Sequence, residues 1–224
     1  MATWITHLRI AENILKKGYE FEPKAFLIGN IGPDSGVPSE DWSSFNPPKK
    51  ITHWLGENKK INAQSFWDKY LKCREINENN ESFSFKMGYY VHLLTDIEWL
   101  KLIEQKKKDI LYKEWSEKNP GFIWTIKKDW YGLDYLYLDK HPKCIFNTLF
   151  INIKKVPDYL DYFPQGAFEK RVKYITDYYL GKNDETKENF IYLTEEEMDN
   201  FVYNASEKIQ AQLKSVLSDK SGII

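Results

Sequence analysis

His92 and Asp96 stand four residues apart in Lys86-Met-Gly-Tyr-Tyr-Val-His-Leu-Leu-Thr-Asp. On a helix that spacing puts both side chains on one face. An imidazole and a carboxylate so placed can hold one metal ion together. Val91, Leu93 and Leu94 beside them are apolar. A carboxylate in such surroundings needs a partner, because burying it alone is costly. Taken by itself, the pair reads as an ordinary helix-surface contact. Asp34, in Gly32-Pro-Asp-Ser-Gly36, has turn chemistry around it. The preceding Phe26-Leu-Ile-Gly-Asn-Ile31 is apolar and would carry that turn to the mouth of a core. His53, beside Trp54, and His7, one turn after Trp4, each read singly as a buried, satisfied histidine. The set is more telling than its members. The chain has four histidines, and three of them, His7, His53 and His92, have apolar or aromatic neighbours. His7, Asp34, His53, His92 and Asp96 are ligand types for zinc or another first-row divalent ion, manganese and iron included. Five ligands exceed one tetrahedral site. They suit two ions sharing a carboxylate, an arrangement that serves in-line displacement at phosphorus.

The elements that must position these residues are helices. Residues 3–17 carry a stripe of Trp4, Leu8, Ala11 and Leu15, with Thr3 as N-cap and Gly18 just past the end. Pro23 opens a short apolar helix over 23–30. It runs into a loop punctuated by glycine and proline that continues to about residue 53. An amphipathic helix over 62–76 turns Ala63, Phe66, Tyr70 and Cys73 inward. After the polar break 77–81, a long helix runs from about Ser82 to about Glu104, with Phe85, Gly88 or Tyr89, His92, Asp96 and Trp99 as its stripe. Further helices are expected over 106–117, 122–138, 143–153 and 166–180. A polar connection over 182–193 precedes Thr194-Glu-Glu-Glu197, a capping box that opens the last helix, to about Leu217. No stretch alternates with period two long enough to make a sheet. The expectation is an all-α fold in one compact multi-helix domain over 1–224.

Composition narrows the functions. Lys+Arg number 32 against 33 Asp+Glu, which argues against a nucleic-acid partner for the chain as a whole. Hydrophobic residues make up 42% and aromatics 16%, enough to build a core rather than a disordered chain. Two cysteines, Cys73 and Cys144, are too few for a disulfide scaffold and read as small core residues. There is no signal-peptide pattern at the N-terminus and no apolar run long enough to cross a membrane, so a cytoplasmic setting is expected. Trp124, Trp130, Tyr131, Tyr135 and Tyr137 could line a pocket for a choline-type cation or a nucleobase, but helical core is the better reading. The lysine runs 106–108 and 127–128 have acidic neighbours and read as a solvated face.

The ordered set Trp4-Ile-Thr-His7, Gly32-Pro33-Asp34, Thr52-His53 and Gly88-Tyr-Tyr-Val-His92-Leu-Leu-Thr-Asp96 resembles the zinc-dependent phospholipase C family. That family shares its helical fold with the S1/P1-type nucleases. The motif-bearing region is about 1–104; the remainder matches no motif. The resemblance implies one ion held by Asp34, His53, His92 and Asp96, and a second held by His7 and the bridging Asp96. It makes Asp34 the candidate base or water-orienting carboxylate. It implies hydrolysis of a phosphodiester or phosphomonoester, lipid or small molecule. Two departures stand out. Trp4 is internal, whereas processed members present an N-terminal tryptophan. The downstream His-x-x-x-Glu pair of a third ion is missing, so that site would need rebuilding from Glu98, Asp129, Asp134 or His141. Of these, His141 reads as an exposed loop histidine, and Asp129 and Asp134 as solvent-facing carboxylates. Two rivals remain. An HD-type phosphohydrolase would carry an adjacent His-Asp dipeptide, which this chain lacks. A non-catalytic helical protein could have kept the fold, with or without a metal.

Overall fold

The structure, a computed structural model, describes residues 1–73, 80–181 and 190–221. It is all-α, as the periodicity predicts. The helices are α1 (Trp4–Leu15), α2 (Pro23–Ile31), α3 (Lys49–Thr52), α4 (Ala63–Tyr70), α5 (Asn80–Lys106), α6 (Ile110–Lys118), α7 (Phe122–Lys140), α8 (Ile145–Thr148), α9 (Ala167–Leu180) and α10 (Glu195–Ser221). Among the described residues, strand structure amounts to one antiparallel pair, β1 (Val37–Pro38) with β2 (Phe45–Asn46), in the loop after α2, and one isolated bridge between Leu55 and Ile61.

The termini of these helices follow their residues. The Thr3 hydroxyl accepts the Thr6 amide at the start of α1. Gly18, at φ +83°, turns the chain away three residues after α1 ends. At α10 the Thr194 hydroxyl accepts the Glu197 amide, and the Glu197 carboxylate accepts the Thr194 amide, a complete capping box. Two expected helices are shorter. The one over 62–76 stops at Tyr70, and Cys73 beyond it is exposed rather than a core residue; Cys144 is buried. The one over 143–153 is interrupted. It becomes the single turn α8 and a 3-10 turn over Phe150–Asn152, with Leu149 (φ −123°) between them outside the helical range. The expected break over 77–81 lies mostly outside the described residues, as does most of the connection over 182–193.

One hydrophobic core runs through these elements. α5 is its centre and packs against α1, α2, α4 and α10. The single stripe expected for α5 is too narrow. From Phe83 to Asp96 only Lys86 escapes burial, so the helix is enclosed on every side. Its partner α2 is likewise buried from Ala25 to Ile31.

The α2–α5 contact is closer than side chains allow. A Cβ at Gly29 would overlap the Phe85 carbonyl oxygen, and a Cβ at Gly88 would overlap the Phe26 carbonyl oxygen. Each helix therefore meets the other backbone to backbone, at a glycine. The residues met are main chain and cannot swing aside. Gly88→Ala should accordingly lower the unfolding free energy by at least about 2 kcal/mol, seen as a reduced urea midpoint at unchanged slope.

Candidate metal centre

The α2–α5 crossing brings the end of α2 against the middle of α5. The Asn30 carbonyl there lies 2.7 Å from His92 Nδ1. A carbonyl only accepts, so Nδ1 carries the proton and Nε2 offers its lone pair inward. After Asn30 the chain tightens into a 3-10 turn over Gly32–Asp34, which delivers the Asp34 carboxylate. The Tyr89 hydroxyl of α5 donates to the Thr52 carbonyl and fixes the end of α3, where His53 follows. The Thr52 hydroxyl lies 2.9 Å from His53 Nδ1, which leaves that Nε2 facing the same interior. α1 contributes His7, whose ring stacks on that of His92 with centroids 3.8 Å apart and planes 3° from parallel.

All five residues singled out in the sequence thus meet at one place. His7, His92 and Asp96 have no exposed side-chain surface, and His53 has 2%. Asp34 is 11% exposed and forms the edge. His7 Nε2 is 3.5 Å from Asp96 Oδ1, and His92 Nε2 is 3.5 Å from Oδ2. His53 Nε2 is 3.7 Å from Asp96 Oδ2 and 3.4 Å from Asp34 Oδ1. These gaps are long for hydrogen bonds. They resemble the separation of about 3.3 Å between two ligands bonded to one tetrahedral zinc. Two groups are close enough to hold an ion: His7 with His92 and Asp96, and Asp34 with His53 and His92. His92 belongs to both.

The donor atoms fit a metal on a second ground. His7 Nε2, His53 Nε2, His92 Nε2 and Asp96 Oδ2 are buried without a hydrogen-bond partner. Buried polar atoms are nearly always satisfied. Orphans gathered in two adjoining groups that share His92 are what one or two cations would satisfy. Their protonation agrees. Burial, aided by His92, pushes His7 down to about 4, and burial lowers His53. Both are neutral near pH 7, as ligands must be. Burial would raise Asp96, but His7 and His92 outweigh it and hold the carboxyl well below its usual range. Asp34 is lowered in the same way, chiefly by His53 against its own burial. His92 moves up: burial opposes its charged form, but Asp96, Asp34 and the Asn30 carbonyl outweigh that.

Two further groups support the aspartates. The Ala2 amide donates to Asp96 Oδ1 at 3.0 Å, and the Trp4 indole donates to Asp34 Oδ2 at 3.0 Å. Trp4 is therefore part of the site wall rather than only the head of a core stripe. The centre opens through Asp34 into a cleft of about 580 Å³, lined also by Lys49, Lys127 and Arg171. A larger groove of about 790 Å³, beside Glu98 and Lys208, includes none of the five residues.

The candidates for a rebuilt third site are engaged elsewhere. Asp129 and Asp134 are buried, not solvent-facing. Asp129 Oδ2 accepts the Ile191 and Tyr192 amides, ordering the approach to α10. Asp134 accepts the Thr3 hydroxyl at 2.7 Å and the Tyr179 hydroxyl at 2.5 Å, tying the start of α1 to α7 and α9. A helical period cannot tell an exposed face from one covered by a later segment, and both aspartates are covered by chain far away in sequence. Glu98 pairs with Lys101 and Lys208. His141 is exposed at the end of α7, as expected. The aromatic set around Trp124 does not form one box. Trp124 is exposed, while Tyr137 stacks under Arg9 and Tyr135 hydrogen-bonds the Tyr178 carbonyl.

The sequence model of the zinc dependent phospholipase C family matches residues 6–99, from the residue before His7 to just beyond Asp96. No curated protein and no solved structure matches the chain. The similarity to that family, together with the buried His/Asp donor set, supports a zinc cofactor. At family level the match is to a metal-dependent phosphoesterase. No described helix is long and apolar enough to cross a membrane.

Asp134 gives a test of how α1 is anchored. Burial raises its carboxyl from 3.8 to about 7 against the two hydroxyl donors that lower it. A raised acid stays protonated in the folded chain while the unfolded chain ionises. The wild type should therefore lose stability as pH rises from about 4 to about 7, and no further above. Three units at about 1.4 kcal/mol each bound the loss at about 4 kcal/mol. Asp134→Asn, which cannot ionise, should show a flatter profile in metal-free urea unfolding over that window.

Proposed function

We propose that the chain is a metal-dependent phosphoric-ester hydrolase, with zinc held by His7, Asp34, His53, His92 and Asp96. The observation that carries this reading is the convergence of the four buried, unpartnered donor atoms. A divalent ion bound there supplies positive charge that polarises a phosphoryl oxygen and lowers the pKa of water. The remaining roles fall to the chain. Asp96, fully enclosed and central to three imidazoles, is the anionic anchor of the cluster. The Asn30 carbonyl and the Thr52 hydroxyl keep His92 and His53 turned with Nε2 inward.

Asp34 alone of the five reaches the cleft. Its Oδ2 is held by Trp4, so its orientation is fixed. Its lowered pKa keeps it ionised near neutral pH, ready to accept a hydrogen bond. A carboxylate so weakly basic orients a water molecule better than it stores that water's proton. In the reaction the water oxygen forms a bond to phosphorus and the bond to the leaving oxygen breaks. One proton of the water ends on the departing alcohol. The donor set is His/Asp only, with both aspartates and three imidazoles shared between two groups, which suits one or two ions and leaves no downstream carboxylate for a third.

The substrate of this reading is a phosphate ester, with a lipid ester suggested by the family similarity. Metal mass spectrometry of chelator-free protein should find one or two zinc, manganese or iron ions per chain in the wild type, and fewer in His92→Ala. Asp96→Asn should lose metal and turnover of bis(p-nitrophenyl) phosphate together, the latter by at least about 100-fold. Activity that survives Asp96→Asn would refute the ligand assignment. Metal binding without turnover on any ester would leave a binding protein instead.

A further inference from the structure

The cleft in front of Asp34 carries a charge pattern that the donor set does not explain. Its charged lining is Lys49, Lys127 and Arg171, against the one carboxylate of Asp34. Arg171 is 7% exposed. Its guanidinium donates to the Gly36 carbonyl at 2.9 Å, and no carboxylate among the described residues lies within ion-pair distance of it. A buried cation without a counter-charge is costly, and a guanidinium has five donors to satisfy. Lys49 and Lys127 likewise have no ion-pair partner among the described residues.

The aromatic rings along the cleft could in principle seat a quaternary ammonium. Three of them, Trp4, Tyr174 and Trp124, already lie under a protein cation. Arg171 lies over Trp4 at 5.8 Å and over Tyr174 at 5.4 Å, and Lys127 lies over Trp124 at 4.7 Å. A cationic headgroup would meet three protein cations there and compete with two of them for the rings.

We propose that this cleft selects anionic phosphate esters lacking an ammonium group, with Arg171 as the main specificity residue and Lys49 and Lys127 at the rim. The proposal rests on the phosphoesterase reading and names the substrate class of the same site. A guanidinium suits an oxyanion because its fork of N–H donors matches two oxygens at once. The lysines act as point charges that raise the local concentration of anions.

The test uses the full chain loaded with zinc and monomeric short-chain lipids, so that no membrane surface intervenes. Dihexanoyl phosphatidylglycerol and dihexanoyl phosphatidylcholine share acyl chains and a phosphodiester and differ in the ammonium. The expected kcat/KM is about tenfold higher for the glycerol ester, narrowing in about 0.5 M sodium chloride as screening sets in. Arg171→Gln should narrow the ratio through KM of the glycerol ester. Should that buried substitution unfold the chain, the double variant Lys49→Gln/Lys127→Gln at the rim makes the same test. p-Nitrophenyl phosphate identifies the source of the anion. Turnover above that of the glycerol lipid points to soluble phosphate esters, and the reverse to a lipid headgroup; both uphold the anion preference. A choline ester cleaved equally well or faster overturns this proposal while the phosphoesterase reading stands. No turnover of any of the three esters by zinc-loaded protein overturns that reading and this one with it.

Discussion

The backbone contact between α2 and α5 is the constraint on which the rest of the structure depends. Gly29 and Gly88 each face a carbonyl of the opposite helix, Phe85 and Phe26. With any side chain at either place the helices would stand apart, and side-chain packing would set a larger separation. At the separation seen, the Asn30 carbonyl reaches His92 and fixes its tautomer. The turn that follows α2 is then close enough to put Asp34 beside His53. The same approach encloses α5 on all sides and removes Asp96 from water entirely. The glycines lie in different helices, 59 positions apart in the chain, yet their roles are reciprocal.

Enclosing Asp96 creates an energetic problem that the site's chemistry answers. Two carboxylates and three imidazoles sit together with little solvent, and the ionised forms are the aspartates. The protein supplies only part of the compensation. The Ala2 amide serves one oxygen of Asp96, and the Trp4 indole serves one of Asp34. The opposite oxygens face imidazole nitrogens at more than 3.3 Å. Removing water from such a group without replacing its hydrogen bonds costs several kcal/mol. A divalent cation replaces them all at once, which couples metal binding to stability of the folded chain. The stacked rings of His7 and His92 fit this account, since a neutral His7 can lie 3.8 Å from His92 where two charged rings could not.

The parts of the site that were legible in the sequence are those where spacing alone decides geometry. His92 and Asp96 share a helical face at any tertiary arrangement. Asp34 was readable because an apolar segment led into its turn. Trp4 heads a stripe and belongs to the Trp4-Ile-Thr-His7 motif, but nothing local shows that its indole meets Asp34 thirty residues on. Asp129 and Asp134 read as solvent-facing in the sequence for the same reason: their partners are the Ile191 and Tyr192 amides and the Thr3 and Tyr179 hydroxyls. α5 was read with one buried face because a polar residue in a helix ordinarily marks the solvent side. Here His92, Thr95 and Asp96 are interior. Arg171 had no sequence signal at all, since an arginine in an amphipathic helix is ordinarily a surface charge.

Charge in this molecule is arranged in two layers that the near-zero net charge of −1 conceals. The inner layer is anionic and lacks a cation. The outer layer, along the cleft, is cationic and lacks an anion. Arg171 feels the field of Asp34 but forms no ion pair with it. Trp4 meets both. Its indole N–H occupies Asp34, and its ring lies against the Arg171 guanidinium, whose donor is turned to the Gly36 carbonyl. One side chain thus contacts both the inner carboxylate and the outer guanidinium. The buried His/Asp donors suit a cation, and the cleft's Arg171, Lys49 and Lys127 suit an anion. The position of Trp4, one turn before His7 on the same helix, ties this separation to the element that closes the donor set.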